Sequence, residues 1–493
     1  MIQGDLLALF REINDALRTV GNRTRGVAET RCALASPPFR MPEKIMAHQE
    51  CTIEMKTVFR LIAGALFLLS SAFAFAQAPS SDSTQHGVAA SVTAIPPGTS
   101  ITMQNWQTYQ QFMPDGMISL FHGNYFWKMP SDVEIDVDPT VIHPLPKLYL
   151  EATEKYANQV QVVELPGGGL TLRGYQGGIP FPKPEDPHKG WKVLANLWYR
   201  YMPHLSVITY GTGCTVDHYG SINCQAAEIV ERQLAYNTDP GIPSTISGAE
   251  GKFFTEWLMV LEPEQKRYTA TLNISYADLA RPEDQFAFIP ALRRYQPISS
   301  AARCSPSQGT DATPEEFREG FDSNLTQLKV DFIGEKKILA LLDVKTPPGR
   351  FPENYDMPLG WPKPSWGKWQ LRDVYVISVS KIDSQASGYC YGKKVMYVDK
   401  QFYSPLWEDA YDAKMQPWKF MAFFLRTCDT PGIGPVNSCG ANIQAYWDIQ
   451  NDHATFFTDP AAGRPVYVNE TAPKEYSDMA RYTSAPGLNL IMR

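Results

Sequence analysis

Past residue 76 the chain has no apolar run near the roughly 20 residues that a membrane-spanning helix needs, and it has no surplus of positive charge. The residues after position 76 number 417 and carry a net charge of −9, against −7 for the whole chain, because Lys56 and Arg60 fall before that point and residues 1–54 are neutral. A mildly acidic chain without a Lys/Arg-rich face is not built for nucleic acid, and it offers no polybasic cue to anionic lipid. The motifs of the common enzyme classes are missing too. There is no Gly-x-Ser-x-Gly elbow, no His-Glu-x-x-His, no phosphate-binding loop and no Gly-x-Gly-x-x-Gly. The histidines after residue 76 stand singly, so no metal site and no cofactor is expected. Cysteine is scarce, with eight in 493 residues.

What is present begins with "MKTVFRLIAGALFLLSSAFAFAQA", residues 55–78. Two cations, an apolar stretch and small residues two apart have the layout of a secretory signal peptide over 55–76, cleaved after Ala76. Residues 1–54 then read as an upstream extension from a misassigned start at Met1, with translation beginning at Met55. Residues 77–98, rich in Ser, Ala and Pro, read as a flexible leader, and residues 99–493 as one domain. No cysteine follows the cleavage site to accept lipid, so a soluble, non-lipidated periplasmic protein is expected.

Six cysteines remain: Cys214, Cys224, Cys304, Cys390, Cys428 and Cys439. An even number with two close pairs suits disulfides in an oxidising compartment. Cys214 and Cys224 flank "TVDHYGSIN", and Cys428 and Cys439 flank "DTPGIGPVNS"; both inserts are rich in turn formers. Cys304 and Cys390 pair by elimination. Metal binding by Cys214, His218 and Cys224 is the rival for the first pair, but no fourth ligand lies nearby.

The patterning after residue 200 is mostly that of strands. "YTATLNISY" alternates Ala270, Leu272, Ile274 and Tyr276 with Thr269, Thr271, Asn273 and Ser275, the period of a half-buried strand. "LKVDFI", "DVYVISV", "KKVMYVDKQFYSPLWEDAYDAKMQPWKFMAFFL" and "IQAYWDIQNDHATFF" add more, joined by short turns. With no alternation of strands and helices, the sheet is expected to be antiparallel. Helices are expected early, around Trp106–Met113, after Pro146, and in "EDPHKGWKVLANLWYRY". In the last of these Asp186 reads as N-cap, Pro187 as first helical residue, and Trp191, Leu194, Trp198 and Tyr201 as one face. These helices are expected to cover one face of a large curved sheet. Thr313-Pro314-Glu315-Glu316 reads as a capping box.

Two stretches invite a chemical reading. In "DMPLGWPKPSWGKWQ", Trp361, Trp366 and Trp369 lie within nine residues among prolines and glycines. Three indoles on a stiff loop can line an apolar mouth or stack on a sugar; the plainer reading is a loop pinned to the sheet by its own aromatics. "PLWEDAYD" carries Glu408, Asp409 and Asp412, and glycosidases need only two placed carboxylates. Neighbours in a strand point to opposite faces, however, so Glu408 and Asp409 read instead as a solvated hairpin rim, with Asp412 opening the turn.

The strings "GTSITMQNW", "IPFPKPEDPHKGWKVLANLWYRY", "FIPALRR", "DMPLGWPKPSWGKW", "YCYGKKVMYVD" and "WDIQNDHAT" resemble a family of exported Gram-negative proteins, domain-of-unknown-function family 1329. The resemblance runs from about Gly98 to the C-terminus. It implies a fold like that of periplasmic lipoprotein carriers, an antiparallel sheet curled into an incomplete barrel and lidded by helices. It also implies association with an RND-type exporter and an outer-membrane partner. On this basis the protein is expected to be a non-enzymatic periplasmic carrier or chaperone for a lipid or other hydrophobic molecule. Trp106, Tyr109, Trp191 and Trp198 are the candidate lid, and Leu272, Ile274, Leu328 and Val330 the candidate concave wall. The alternative is a glycan- or lipid-active enzyme using the tryptophan loop and nearby carboxylates.

Overall fold

The computed structural model describes residues 93–299, 302–346, 349–383, 389–437, 443–458 and 464–492. The expected extension, signal peptide and most of the leader lie outside the described residues. Ile95 is already buried, and Gly98 donates its N–H to Val137 O at 2.8 Å, so packed structure begins a few residues before the expected boundary.

Fourteen strands form one antiparallel sheet built from two meanders. The first comprises β1 (Leu205–Asp217), β2 (Ile222–Gln233), β3 (Lys252–Glu262), β4 (Ala270–Tyr276), β5 (Asp284–Ile289) and β6 (Arg294–Pro297). The second comprises β7 (Leu328–Leu342), β8 (Lys368–Lys381), β9 (Lys393–Asp399), β10 (Pro405–Tyr411), β11 (Pro417–Phe423), β12 (Gln444–Asp448) and β13 (His453–Thr458). The spatial order is β6-β5-β4-β3-β2-β1-β13-β12-β11-β10-β9-β8-β7, with β14 (Val466–Val468) also pairing with β1. The chain therefore starts mid-sheet, runs out to one edge, crosses to the other edge, and works back until β13 pairs with β1. The two edge strands β6 and β7 do not pair with each other, so the sheet is open.

The crossover from β6 to β7, residues 298–327, shows how far the sheet curls. Arg318 donates its backbone N–H to the Glu256 carboxylate on β3 at 3.5 Å, while Glu316, two residues away, pairs through Lys394 with Glu408 on β10. Six strand spacings separate β3 from β10, about 29 Å along a flat sheet. One short segment touches both only because the sheet wraps around it. Gly320 marks the tightest approach: its φ is +107°, and a Cβ there would lie 2.6 Å from Phe423 and 2.9 Å from Pro405.

Helices cover both faces of the sheet, not one as the sequence suggests. On the inner face, α3 (Lys189–Trp198) lies over β7 and β8, and Gly190 lets it rest on the backbone of Val330 and Phe332. This helix starts at Lys189, two residues later than expected, because His188 sits at φ 67° and breaks the helical path after Pro187. On the outer face, α1 (Asp115–His122) packs on β10 and β11, preceded by a single turn at Trp106–Tyr109. A third helix, α2 (Lys147–Tyr156), follows Pro146 as expected. The C-terminal segment covers the outer face of β3 and β4 through Tyr476, Tyr482 and Leu488. No helix among the described residues is long and apolar enough to cross a membrane.

Candidate functional site

Between the crossover and the inner face of β1–β5, β12 and β13 lies a cavity of about 310 Å³, at the lower end of the usual range for ligand sites. Ile208, Ile229, Leu258, Val260 and Phe457 supply an apolar wall. The space exists because side chains on this wall are small: Gly211, Gly213, Ala227 and Ala287 leave the sheet surface low where the crossover bridges it. Chemically the cavity is a mainly apolar container with a polar end that carries a carboxyl and two amides, with uncharged Gln225, Ser307, Gln308 and Gln444 also on its lining.

That polar end comes from strand register. Glu231, Glu256, Asn273 and Gln285 stand opposite one another across β2, β3, β4 and β5, and the last three line the cavity. All four are buried, 4 to 8% exposed. Beyond them the crossover brings in a cluster of buried ions. Lys394 Nζ lies 2.9 Å from Glu408 and 3.3 Å from Glu316, with all three side chains fully excluded from solvent. Arg200 pairs with Glu319 at 3.2 Å, and Arg303 reaches Glu315 at 2.6 Å. Burial opposes the charge on Lys394, but the carboxylates of Glu408 and Glu316 outweigh it and hold the ammonium above its ordinary value.

Burial also pushes the carboxyls of Glu256, Glu315 and Glu408 up to about 7, assisted by neighbouring acids. Asp409, on the other face, is likewise raised to about 7 by burial. Each of these groups binds its proton more tightly folded than unfolded. Their contribution to stability is therefore complete below about pH 4 and is lost as the pH rises through 7. The melting temperature is expected to fall between pH 5 and pH 8, and Glu256→Gln to flatten that fall. Thermal unfolding of both proteins at four pH values checks this; a wild-type melting temperature that rises over the interval contradicts it.

The expected site residues are scattered. Trp191, Leu328 and Val330 do come together, lining a more open groove of about 650 Å³ at the β7 edge with His188, Lys329 and Lys381. Trp191 is itself buried and donates its indole N–H to Leu325 O at 3.2 Å. Trp198 is buried against Phe253 and Phe321, with the Arg318 guanidinium 4.5 Å above its ring. Trp106 and Tyr109 belong to the outer-face core, where Trp106 stacks on Phe121 at 5.0 Å, so they lie on the side of the sheet away from the cavity. Leu272 and Ile274 also face outward, packed under the C-terminal segment, and the cavity receives their neighbours Thr271 and Asn273.

The tryptophan loop follows its plainer reading. Trp361 stacks on Trp369 at 5.5 Å and on Trp447 at 5.7 Å, and Trp366 bonds to Lys345 O; all three are buried, with no face for a sugar. The expectation of a solvated rim fails for two of the three carboxylates. Glu408 is buried on the inner face, while Asp409 is buried on the outer face, accepting hydrogen bonds from Trp407 Nε1 and Gly116 N. Their opposite directions follow the strand alternation, and Asp412 does cap the turn, accepting from Lys414 N and Gln416 N. Cys214–Cys224 and Cys304–Cys390 are disulfides. Cys439 lies outside the described residues, and with it the expected bond to Cys428.

Sequence reasoning missed Glu256, Asn273, Gln285, Glu316 and Lys394. Some signal was there. Lys394 alternates with Met396 and Val398 in "KKVMYVD", a cation in phase with the apolar set. Glu256 carries the same mark, standing in phase with Phe254, Leu258 and Val260, whereas Asn273 carries none, because its phase, shared with Thr271 and Ser275, is the polar one.

The model of the family described as "Protein of unknown function (DUF1329)" matches residues 100–485. Among curated proteins, none matches the sequence. Of solved structures, a putative outer membrane lipoprotein-sorting protein domain from Vibrio parahaemolyticus is 15% identical, with a TM-score of 0.41 over 62% of this chain and 99% of its own. A DUF1329 family protein from Desulfovibrio piger is 14% identical, with a TM-score of 0.41 over 61% of this chain and 100% of its own. A LolA superfamily protein from Nitrosomonas europaea is 11% identical, with a TM-score of 0.33 over 58% of this chain and 92% of its own.

Proposed function

The chain belongs to the DUF1329 family, and on that premise we propose that it is a periplasmic carrier or chaperone for a hydrophobic molecule, serving an RND-type exporter and an outer-membrane partner. The observation that carries this reading is the largely apolar cavity between the crossover and the curled sheet. At about 0.8 kcal/mol per buried methylene, an eight-carbon chain gains roughly 6 kcal/mol there before the cost of immobilising it. The volume suits one short chain or ring system. A whole multi-chain lipid would need the crossover to move. The signal-like stretch at 55–76 supports export, and the exporter and outer-membrane partner are proposed only from what the family resemblance implies.

The enzyme alternative draws no support from the geometry. Its indoles are spent in a core stack, and its two buried carboxylates face opposite sides of the sheet.

Native mass spectrometry on protein purified from a periplasmic extract without detergent tests the carrier reading. The expected result is a bound mass of a few hundred daltons or less that is released on denaturation. Ala227→Phe, which fills the cavity from β2, is expected to abolish it while the protein stays folded by circular dichroism. A wild-type protein that carries nothing and takes up no added short-chain amphiphile, or a bound mass unaffected by Ala227→Phe, would overturn it.

A further inference from the structure

The carrier reading leaves the ligand's chemistry open, and the cavity's polar end narrows it. Asn273 is 4% exposed, lines the cavity, and its side-chain Nδ2 has no hydrogen-bond partner. Its neighbours in the row are occupied. Glu256 accepts from the Arg318 backbone N–H at 3.5 Å, and Gln285 Nε2 donates to Glu283 at 3.2 Å. A buried amide donor left unpaired is costly, and here it sits at the end of an apolar container.

The charged side chains that line the cavity are of one sign. Glu256 and Glu316 both line the cavity, while no Lys, Arg or His is among its described lining residues. The nearby cations are turned elsewhere. Lys394 is held between Glu316 and Glu408, Arg200 by Glu319 and the Arg318 carbonyl, and Arg303 by Glu283 and Glu315, while Arg318 lies over the Trp198, Phe253 and Phe254 rings with Nη2 on the Trp198 carbonyl. An anionic head group entering this end would lose its hydration, meet two acidic side chains and gain no cation, a combination that low dielectric makes severe.

Resting on the carrier reading, we infer that the cavity takes an uncharged amphiphile of about ten heavy atoms, whose hydroxyl, ketone or ester oxygen accepts a hydrogen bond from Asn273, and that it discriminates against carboxylates of the same chain length. The size follows from the volume of about 310 Å³ divided by roughly 30 Å³ per water-sized group. Register supports the placement: Asn273 stands directly between Glu256 and Gln285, so a head group at its amide is also beside a carboxyl and a second amide.

Isothermal titration of the delipidated protein at pH 7.5 with 1-octanol, octanoate and octylamine separates the possibilities, since the three share one chain length. The expected order places octanol first and octanoate at least about tenfold weaker. Asn273→Leu, which keeps the volume and removes the donor, is expected to weaken octanol about 3- to 10-fold. Glu256→Gln is expected to narrow the gap between octanol and octanoate. Octanoate or octylamine binding as tightly as octanol would overturn the head-group assignment while leaving a hydrophobic carrier, as would an Asn273→Leu protein with unchanged octanol affinity. Should that variant not fold, the wild-type ranking decides by itself. If none of the three binds, the carrier reading of this cavity falls, and this inference with it.

Discussion

Lys394→Ala is expected to destabilise the folded protein by about 3–5 kcal/mol, the cost of leaving buried charges without their partner. One ammonium stands between two carboxylates, 2.9 Å from Glu408 and 3.3 Å from Glu316, and none of the three side chains reaches solvent. Glu408 belongs to β10 and Glu316 to the crossover, so the cation joins the sheet to the segment it wraps. Without it, two acids face each other in a low dielectric, and at least one must take up a proton or draw in water. The loss is therefore expected to be larger at pH 8 than at pH 5. Adding Glu408→Gln to Lys394→Met should restore part of the stability, because that pair removes one uncompensated charge along with the cation. Urea unfolding of the two variants checks both statements. A Lys394→Ala protein within 1 kcal/mol of wild type would mean that the cluster is solvated in a way its burial does not suggest.

The second large effect is expected from removing the Cys304–Cys390 disulfide. The bond joins the crossover to the segment leading into β9 and closes a loop with a sequence separation of 86. Chain entropy alone assigns such a loop about 4–5 kcal/mol. The Cys214–Cys224 bond spans a separation of only 10, between residues that already stand opposite in the β1–β2 ladder, and the same relation gives it about 2.5–3 kcal/mol. Replacing Cys304 and Cys390 by Ser together should therefore lower stability more than the corresponding change at Cys214 and Cys224. Because Ala302, Ser305 and Pro306 line the cavity beside Cys304, the first double variant is also expected to exchange bound ligand faster, and the second not to. Denaturant midpoints and ligand off-rates on the two variants make the comparison; equal losses in both would show that hairpin geometry outweighs loop length.

Particular elements show what was readable in advance. The strand alternation of "YTATLNISY" identifies β4, Ala270–Tyr276. The same alternation does not say which face is the wall: the apolar residues Leu272 and Ile274 do not face the cavity. They face outward, where Tyr476, Tyr482 and Leu488 arrive from some 200 residues further on. Asp186 and Pro187 gave a good N-terminal helix signal, yet the helix starts at Lys189, since tertiary placement sets His188 in a left-handed conformation that ends the match. The tryptophan cluster was legible as a pinned loop but not as a stack, because Trp447 and Trp407, which complete it, lie 38 and more residues downstream of Trp369 in other strands.

The sequence by itself determined the antiparallel meanders, the Cys214–Cys224 staple and the opposed directions of Glu408 and Asp409, because each depends on period-two geometry or on residues a turn apart. Only the tertiary structure decided which face of the sheet is the inner one, that a polar row from Glu231 to Gln285 would point there, and that Glu316 would meet Lys394. A strand's pattern states that its two faces differ without stating what will cover each. That choice is made by the crossover, whose ion pairs hold the two meanders around it.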